Sequence, residues 1–207
     1  MVAGLVGIVA GFTGCSDPAD KVAKANVSAT NQVAAAPAAP APASAQKLAL
    51  SADSKIEFTG SKVTGSHNGG FKKFDGAVEV AGGKIVGTPS FKIDMTSTFV
   101  DNPRLEGHLK SPDFFDVAKF PTSTFTVTKI EGEGASTKVS GTLELHGVTK
   151  AIEFPATVEV SADGVHVKAE FAINRKDFKI LYPGKPDDLI RDNVVIRLDL
   201  KAAQSKA

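Results

Sequence analysis

The chain has 207 residues, with 24 Lys plus Arg against 23 Asp plus Glu and a formal net charge of +1. That balance offers no field for nucleic acid or for a strongly charged substrate. The aromatic set is lopsided: Phe 13, Tyr 1, Trp 0. Phe has no polar handle, so such a set suits a wholly apolar interior or an apolar ligand.

Taken in chain order, Val2 to Phe12 is an apolar run rich in Gly, Val and Ala. It is too short to span a hydrocarbon core, which needs about twenty residues. Its length matches the apolar region of a secretory signal. Phe12-Thr-Gly-Cys-Ser16 follows and resembles the lipobox of bacterial lipoproteins, in which small residues precede a cysteine that takes a diacylglyceryl group. Phe12 stands where that pattern usually carries Leu, and no Lys or Arg precedes the apolar run. The resemblance implies lipidation at Cys15 and a membrane anchor in the cell envelope, on the periplasmic side. Ser16 occupies a position where an acidic residue would imply inner-membrane retention, which points to outer-membrane sorting.

Residues 16–47 read as a disordered Ala/Pro-rich linker between a signal segment at 1–15 and a folded domain at 48–203. The linker lacks aromatics and has only scattered Val, too little to offset the entropy of ordering. Its Pro-Ala composition favours an extended spacer that holds the domain away from the bilayer.

From Leu48 onward the pattern is β. Lys55 to Thr59 alternates, Gly65 to Gly70 reads as a turn cluster, and Phe74 to Val80 and Lys84 to Met95 form strands joined at Gly82-Gly83. Ser123 to Ile130, Lys138 to Leu145 and Ala151 to Val160 follow. Val165 to Ile173 is the clearest period-two stretch. In the last strand Val194, Ile196, Leu198 and Leu200 share one face, with Val195, Arg197 and Asp199 opposite. Seven to nine short strands with tight turns and no long helix predict an all-β fold, an antiparallel barrel or sandwich in about 150 residues. The one helix-compatible stretch is Asn102 to Ala118. Asp101 or Asn102 serves as a cap, and Pro103 suits a first helical position. Overlapping it, the stretch from His108 to Pro121 does not alternate and reads as a short helical plug or lid over an apolar interior.

Phe71 to Gly76, Arg104 to Pro121, Gly141-Thr-Leu-Glu-Leu-His-Gly-Val-Thr-Lys150 and Ile173-Asn-Arg-Lys-Asp-Phe178 occur here in order. Together, over roughly Lys47 to Ala203, these motifs resemble the YceI-like family. The resemblance implies a lipocalin-like antiparallel β-barrel of about eight strands. It also implies a secreted or periplasmic role in binding polyisoprenoids and similar long-chain amphiphiles.

The Phe residues are the leading site candidates. Phe99, Phe114, Phe115 and Phe120 cluster near the proposed lid, while Phe58, Phe71, Phe74, Phe91, Phe125 and Phe171 lie on strands that can line the interior. An eight-stranded barrel either fills with side chains or holds a ligand, and both outcomes stay open. His108 is a candidate head-group contact at the mouth. Arg175 either meets a lipid phosphate or pairs with Asp113, Asp116 or Asp192. His67, His108, His146 and His166 form no metal-binding pair, so no metal or cofactor is expected. No nucleophile motif is present, and the expectation is a binding protein rather than an enzyme. Two other readings remain: a ligand-free structural or stress-response envelope protein, and an enzyme using His108 and Arg175 on a small apolar substrate. A monomer and a homodimer are equally compatible with the sequence.

Overall fold

The structure, a computed structural model, describes residues 16–29 and 41–204. Cys15 with its expected lipid, the signal-like run before it and the Ala/Pro stretch at 30–40 lie outside the described residues. Short strands β1 (Ala23–Lys24) and β2 (Asn26–Ala29) come first. They are followed by β3 (Gln46–Leu50), β4 (Lys55–Lys62), β5 (Gly65–Phe71), β6 (Phe74–Ala81), β7 (Lys84–Asp94) and β8 (Thr98–Val100). Helix α1 spans Pro103–Lys110. Then come β9 (Thr122–Glu131), β10 (Gly134–Leu145), β11 (Val148–Ser161), β12 (Gly164–Asn174), β13 (Gly184–Lys185), β14 (Asp188–Leu189) and β15 (Asn193–Ala203).

Eight antiparallel strands close a barrel in the order β12-β11-β10-β9-β7-β6-β3-β15, with β15 returning to β12. One end is sealed by Leu48, Val78, Val165 and Ala202. The other end is a mouth, and there the wall opens at two seams. β15 meets β3 only through Ala202 and Ala203; beyond that point β4 takes over its edge, from Lys55 to Thr59, and β5 and β8 follow. β11 pairs with β12 only from Thr157 to Ser161. Above that, β2 pairs with β11 and β1 lies parallel to β12, filling the wedge between them.

That wedge corrects the linker expectation for residues 17–29. This segment is part of the wall. Val27 lies opposite Ile152, and Ala25 and Val27 pack on the interior cluster. Ala19 is fully buried against Ala172 and Val195 on the outer face. Ala172 and Val195 are outward positions of alternating strands, and without the segment they would face water. A composition argument missed this because the apolar side chains are few, small and unevenly spaced, and their partners lie more than a hundred residues away.

The Gly65 to Gly70 turn is also corrected: these residues form β5. An added Cβ at Gly69 would lie 2.6 Å from the Phe58 ring and 2.4 Å from the Phe99 carbonyl oxygen. Glycine here admits close approach of a ring to the sheet, and the sequence signal was read as a turn. The helix is shorter than the stretch that allowed it. The Asn102 carboxamide oxygen accepts from the N–H groups of Arg104 and Leu105, at 3.0 and 3.2 Å, and Ser111 ends it.

Candidate functional site

The alternation of β15 and β12 sets the interior. Val194, Ile196, Leu198 and Leu200 point inward with Phe171 and Ile173, while Arg197 and Asp199 stay outside. Together with side chains from β4, β7, β9, β10 and β11 they enclose a cavity of about 200 Å³. Its lining is apolar except for Ser123, Arg175 and Arg191. The Ser123 hydroxyl donates to the Glu144 carbonyl at 2.6 Å, so it presents little polarity inward.

Outside this lies a vestibule of about 350 Å³. The two spaces share Phe58, Gly60, Leu109, Phe114 and Ile190, which form a neck between them. Leu109 comes from α1. Phe114 follows in a turn whose backbone donates from Phe114 N to Ser111 O at 3.1 Å. Phe114 is buried at 6 % exposure, and its ring packs against His108 (4.9 Å, edge-on) and Tyr182 (5.3 Å). Phe115 stands against Phe58 and Phe71, both at 6.2 Å. The lid residues therefore act as a stopper with an apolar inner face.

The vestibule wall is also mainly apolar, but unlike the cavity it carries Lys62, His67, His108, Lys185 and Asp188. His108 Nε2 lies 2.8 Å from Asp113, and His67 Nδ1 lies 2.7 Å from Asp101. Lys62 pairs with Asp188, which also accepts from Thr64. The Asp188 carboxyl is held below the ordinary carboxylate range, chiefly by its bond from Lys62. An apolar hole opening into a vestibule that adds a few charge-paired groups to an apolar wall suits a molecule with an apolar tail and a polar end.

Asp101 gives the rim a pH dependence. The Asn68 N–H donates to its carboxylate at 2.8 Å, and this contact, ahead of the hydrogen bond from His67, lowers its pKa. A depressed carboxyl contributes stability above its unfolded pKa, about 3.9, and that contribution is lost as pH falls through the lower folded value. The melting temperature of an Asp101→Asn variant is therefore expected to fall less than that of wild type below about pH 4. Parallel acid limbs in the two proteins would refute this role.

Of the site residues expected from sequence, Phe58, Phe71, Phe114, Phe115 and Phe171 border the inner cavity, as do Phe91 and Phe125. Phe74, Phe99 and Phe120 do not line it. Phe74 sits opposite Ile93 near the mouth end and is only half-buried. Phe99 alternates with buried Thr98 and Val100, so it faces outward, with the Lys72 ammonium 5.7 Å from its ring centre. Phe120 packs outside on His146 (4.8 Å), with Lys119 over its ring. His146 holds a left-handed turn position at φ 52° and bonds the Phe178 carbonyl. His166 pairs with Asp199 on the outer wall at 2.6 Å.

Arg175 touches the cavity, but its donors go elsewhere. It is 4 % exposed and donates to the carbonyls of Ile180 (2.6 Å), Arg191 (3.1 Å) and Ile190 (3.3 Å), with Asp192 at 3.5 Å. Burial pulls its pKa down and Asp192 pulls it back up. Of the three carboxylates considered for it, Asp192 is the partner, and Asp113 pairs with His108. The side chain fastens the 180–192 loop at the mouth and is not presented to a head group. The sequence reading omitted Phe154, which stacks on Phe171 with centres 4.1 Å apart and planes at 10°. It follows Glu153 and precedes Pro155, a context that masks its inward alternation.

The comparisons with known proteins agree with this architecture. A family model described as the YceI-like domain matches residues 49–202. Protein YceI of Salmonella arizonae is 34 % identical over 120 residues, covering 54 % of this chain and 62 % of its own length. The aligned part thus spans less than two thirds of that relative. Among solved structures, BcnA of Burkholderia cenocepacia superposes with a TM-score of 0.65 at 25 % identity, covering 73 % of this chain and 98 % of its own. A polyisoprenoid binding domain from Saccharophagus degradans reaches a TM-score of 0.62 at 21 % identity, covering 76 % and 97 %. At that identity the likeness speaks for the fold.

Proposed function

The chain belongs to the YceI-like family, and on that premise we propose that its barrel binds or carries a long-chain amphiphile, an isoprenoid or a fatty lipid, without catalysing a reaction on it. One observation carries the reading: an apolar cavity joined through a neck at Phe58, Leu109 and Phe114 to a vestibule whose mainly apolar wall also bears charged side chains. Each Å² of apolar tail removed from water there contributes about 25 cal/mol. The solved neighbour that binds polyisoprenoids makes isoprenoids the first ligands to test. The enzyme alternative has less support, because Asp113 engages His108 and loop carbonyls engage Arg175.

The protein works in the cell envelope, held on the periplasmic side by a lipid on Cys15, with the outer membrane as the expected site. Two measurements test these statements. An organic extract of the purified full-length protein, read by mass spectrometry, is expected to contain a long-chain lipid. An empty extract, with no uptake of added prenyl lipids, overturns the cargo. In cell fractions, Cys15→Ser is expected to move the protein from membrane to soluble material; a variant that stays in the membrane overturns the anchor.

A further inference from the structure

Among the described residues the exposed large hydrophobic side chains are Val63, Leu181 and Leu189, at 52, 60 and 50 %. Single exposed apolar residues are ordinary, but these three are not scattered. Val63 follows Lys62, Leu181 precedes Tyr182, and Leu189 lies between Asp188 and Ile190; all four of those neighbours line the vestibule. Val63 N donates to Leu189 O at 3.2 Å, which joins the β4–β5 turn to β14. The exposed apolar groups thus form a rim around the mouth.

The chain also enters the fold at this end. Asp17 accepts from the Ser61 hydroxyl at 3.2 Å and lies 3.9 Å from the Arg191 guanidinium. Ser61 lines the vestibule and Arg191 the cavity. Asp17 thus puts the start of the described segment at the mouth, and Cys15 precedes Asp17 by two residues in the sequence. Because consecutive Cα atoms are about 3.8 Å apart, a lipid on Cys15 would bring the rim close to the bilayer surface.

We infer that the mouth rim is a bilayer-docking surface. Val63, Leu181 and Leu189 enter the lipid interface, and the cavity opens directly onto it. Lys179 and Lys185 are offset nearby by Asp177 and Asp187, so contact depends on the apolar side chains and persists at high salt. This deepens the lipid-binding reading, since cargo could pass between bilayer and cavity without crossing water.

The chain has no Trp, so one introduced indole reports alone. Full-length protein carrying Leu189→Trp or Leu181→Trp is mixed with phosphatidylethanolamine–phosphatidylglycerol vesicles whose acyl chains are brominated. A side chain set about 5–10 Å into the interface should shift its emission to the blue and lose about half its intensity or more. Lys84→Trp, on the hairpin at the sealed end, should do neither. Equal quenching at both ends, or none at the rim, overturns the docking. A blue shift that grows with protein concentration in the absence of vesicles assigns the rim to a second copy of this chain, and also overturns it. Rim quenching by protein whose extract holds no lipid supports the docking and removes only the cargo.

Discussion

The Phe114→Asp protein is expected to lose bound lipid and to melt well below wild type. Phe114 occupies the neck between cavity and vestibule and is almost fully buried. Truncating a buried Phe costs about 3–5 kcal/mol. A carboxylate placed there sits in an apolar neck beside a His108 that Asp113 already engages, so it must draw in water, take up a proton or compete for that ring. Each response breaks the apolar continuity that a tail needs. Phe114→Leu keeps an apolar neck and should retain most of the lipid. Lys138→Ala, on the exposed wall, serves as the reference. Mass spectrometry of extracts and thermal melts read both effects. If Phe114→Asp and Lys138→Ala hold equal lipid, the neck has no role in binding.

The second large effect is expected at Arg175. Arg175→Met leaves the carbonyls of Ile180, Ile190 and Arg191 without this donor and removes the buried cation they share. Breaking such a buried charged network costs about 3–5 kcal/mol. For a domain of this size that corresponds to a drop of roughly 10 °C in melting temperature. Arg175→Lys keeps the charge but cannot fork to several carbonyls, and should fall between the two. A melting temperature for Arg175→Met within about 2 °C of wild type would sink the assignment. The two variants separate stability from cargo. Arg175 acts on the loop at the mouth, so lipid loss in Arg175→Met should follow unfolding, whereas lipid loss in Phe114→Asp should persist below the melting transition.

The buried guanidinium also bears on the rim. The loop it fastens carries Leu181 and Leu189, two of the exposed apolar side chains, together with Tyr182 and Ile190 on the vestibule and neck. The interior charge thus holds an exterior surface in place. The N-terminal wedge works in the same region from the other side, through Asp17 on Ser61 and Arg191.

Much of the barrel was legible from period-two alternation, because one buried face and one wet face write themselves directly into a strand. Val194, Ile196, Leu198 and Leu200 were assigned to one side, and they line the cavity. The helical lid was legible for a different local reason: Asn102 and Pro103 are start signals whose chemistry acts within a few residues. Among the Phe, placement on strands identified Phe58, Phe71, Phe91, Phe125 and Phe171 as cavity-lining but failed for Phe74. Proximity in sequence to the lid misplaced Phe99 and Phe120, because nearness along a chain does not say which face a side chain takes.

By itself, then, the sequence determined the β class, the face of most strands, the lid and the apolar bias of the interior, all properties set by neighbours within a turn or a strand. Only the tertiary structure decided the rest. Gly69 reads as a turn residue until Phe58 is found lying on it. Residues 17–29 read as linker until the seam between β11 and β12 is seen to need filling. Arg175 reads as either a head-group ligand or the partner of one of three carboxylates until its carbonyl partners and Asp192 are in place. In each case the deciding partner is remote in sequence or belongs to the backbone, and neither residue type nor spacing encodes it. The hollow itself is of that kind: it is the space left by many side chains after closure, and no single segment carries its volume.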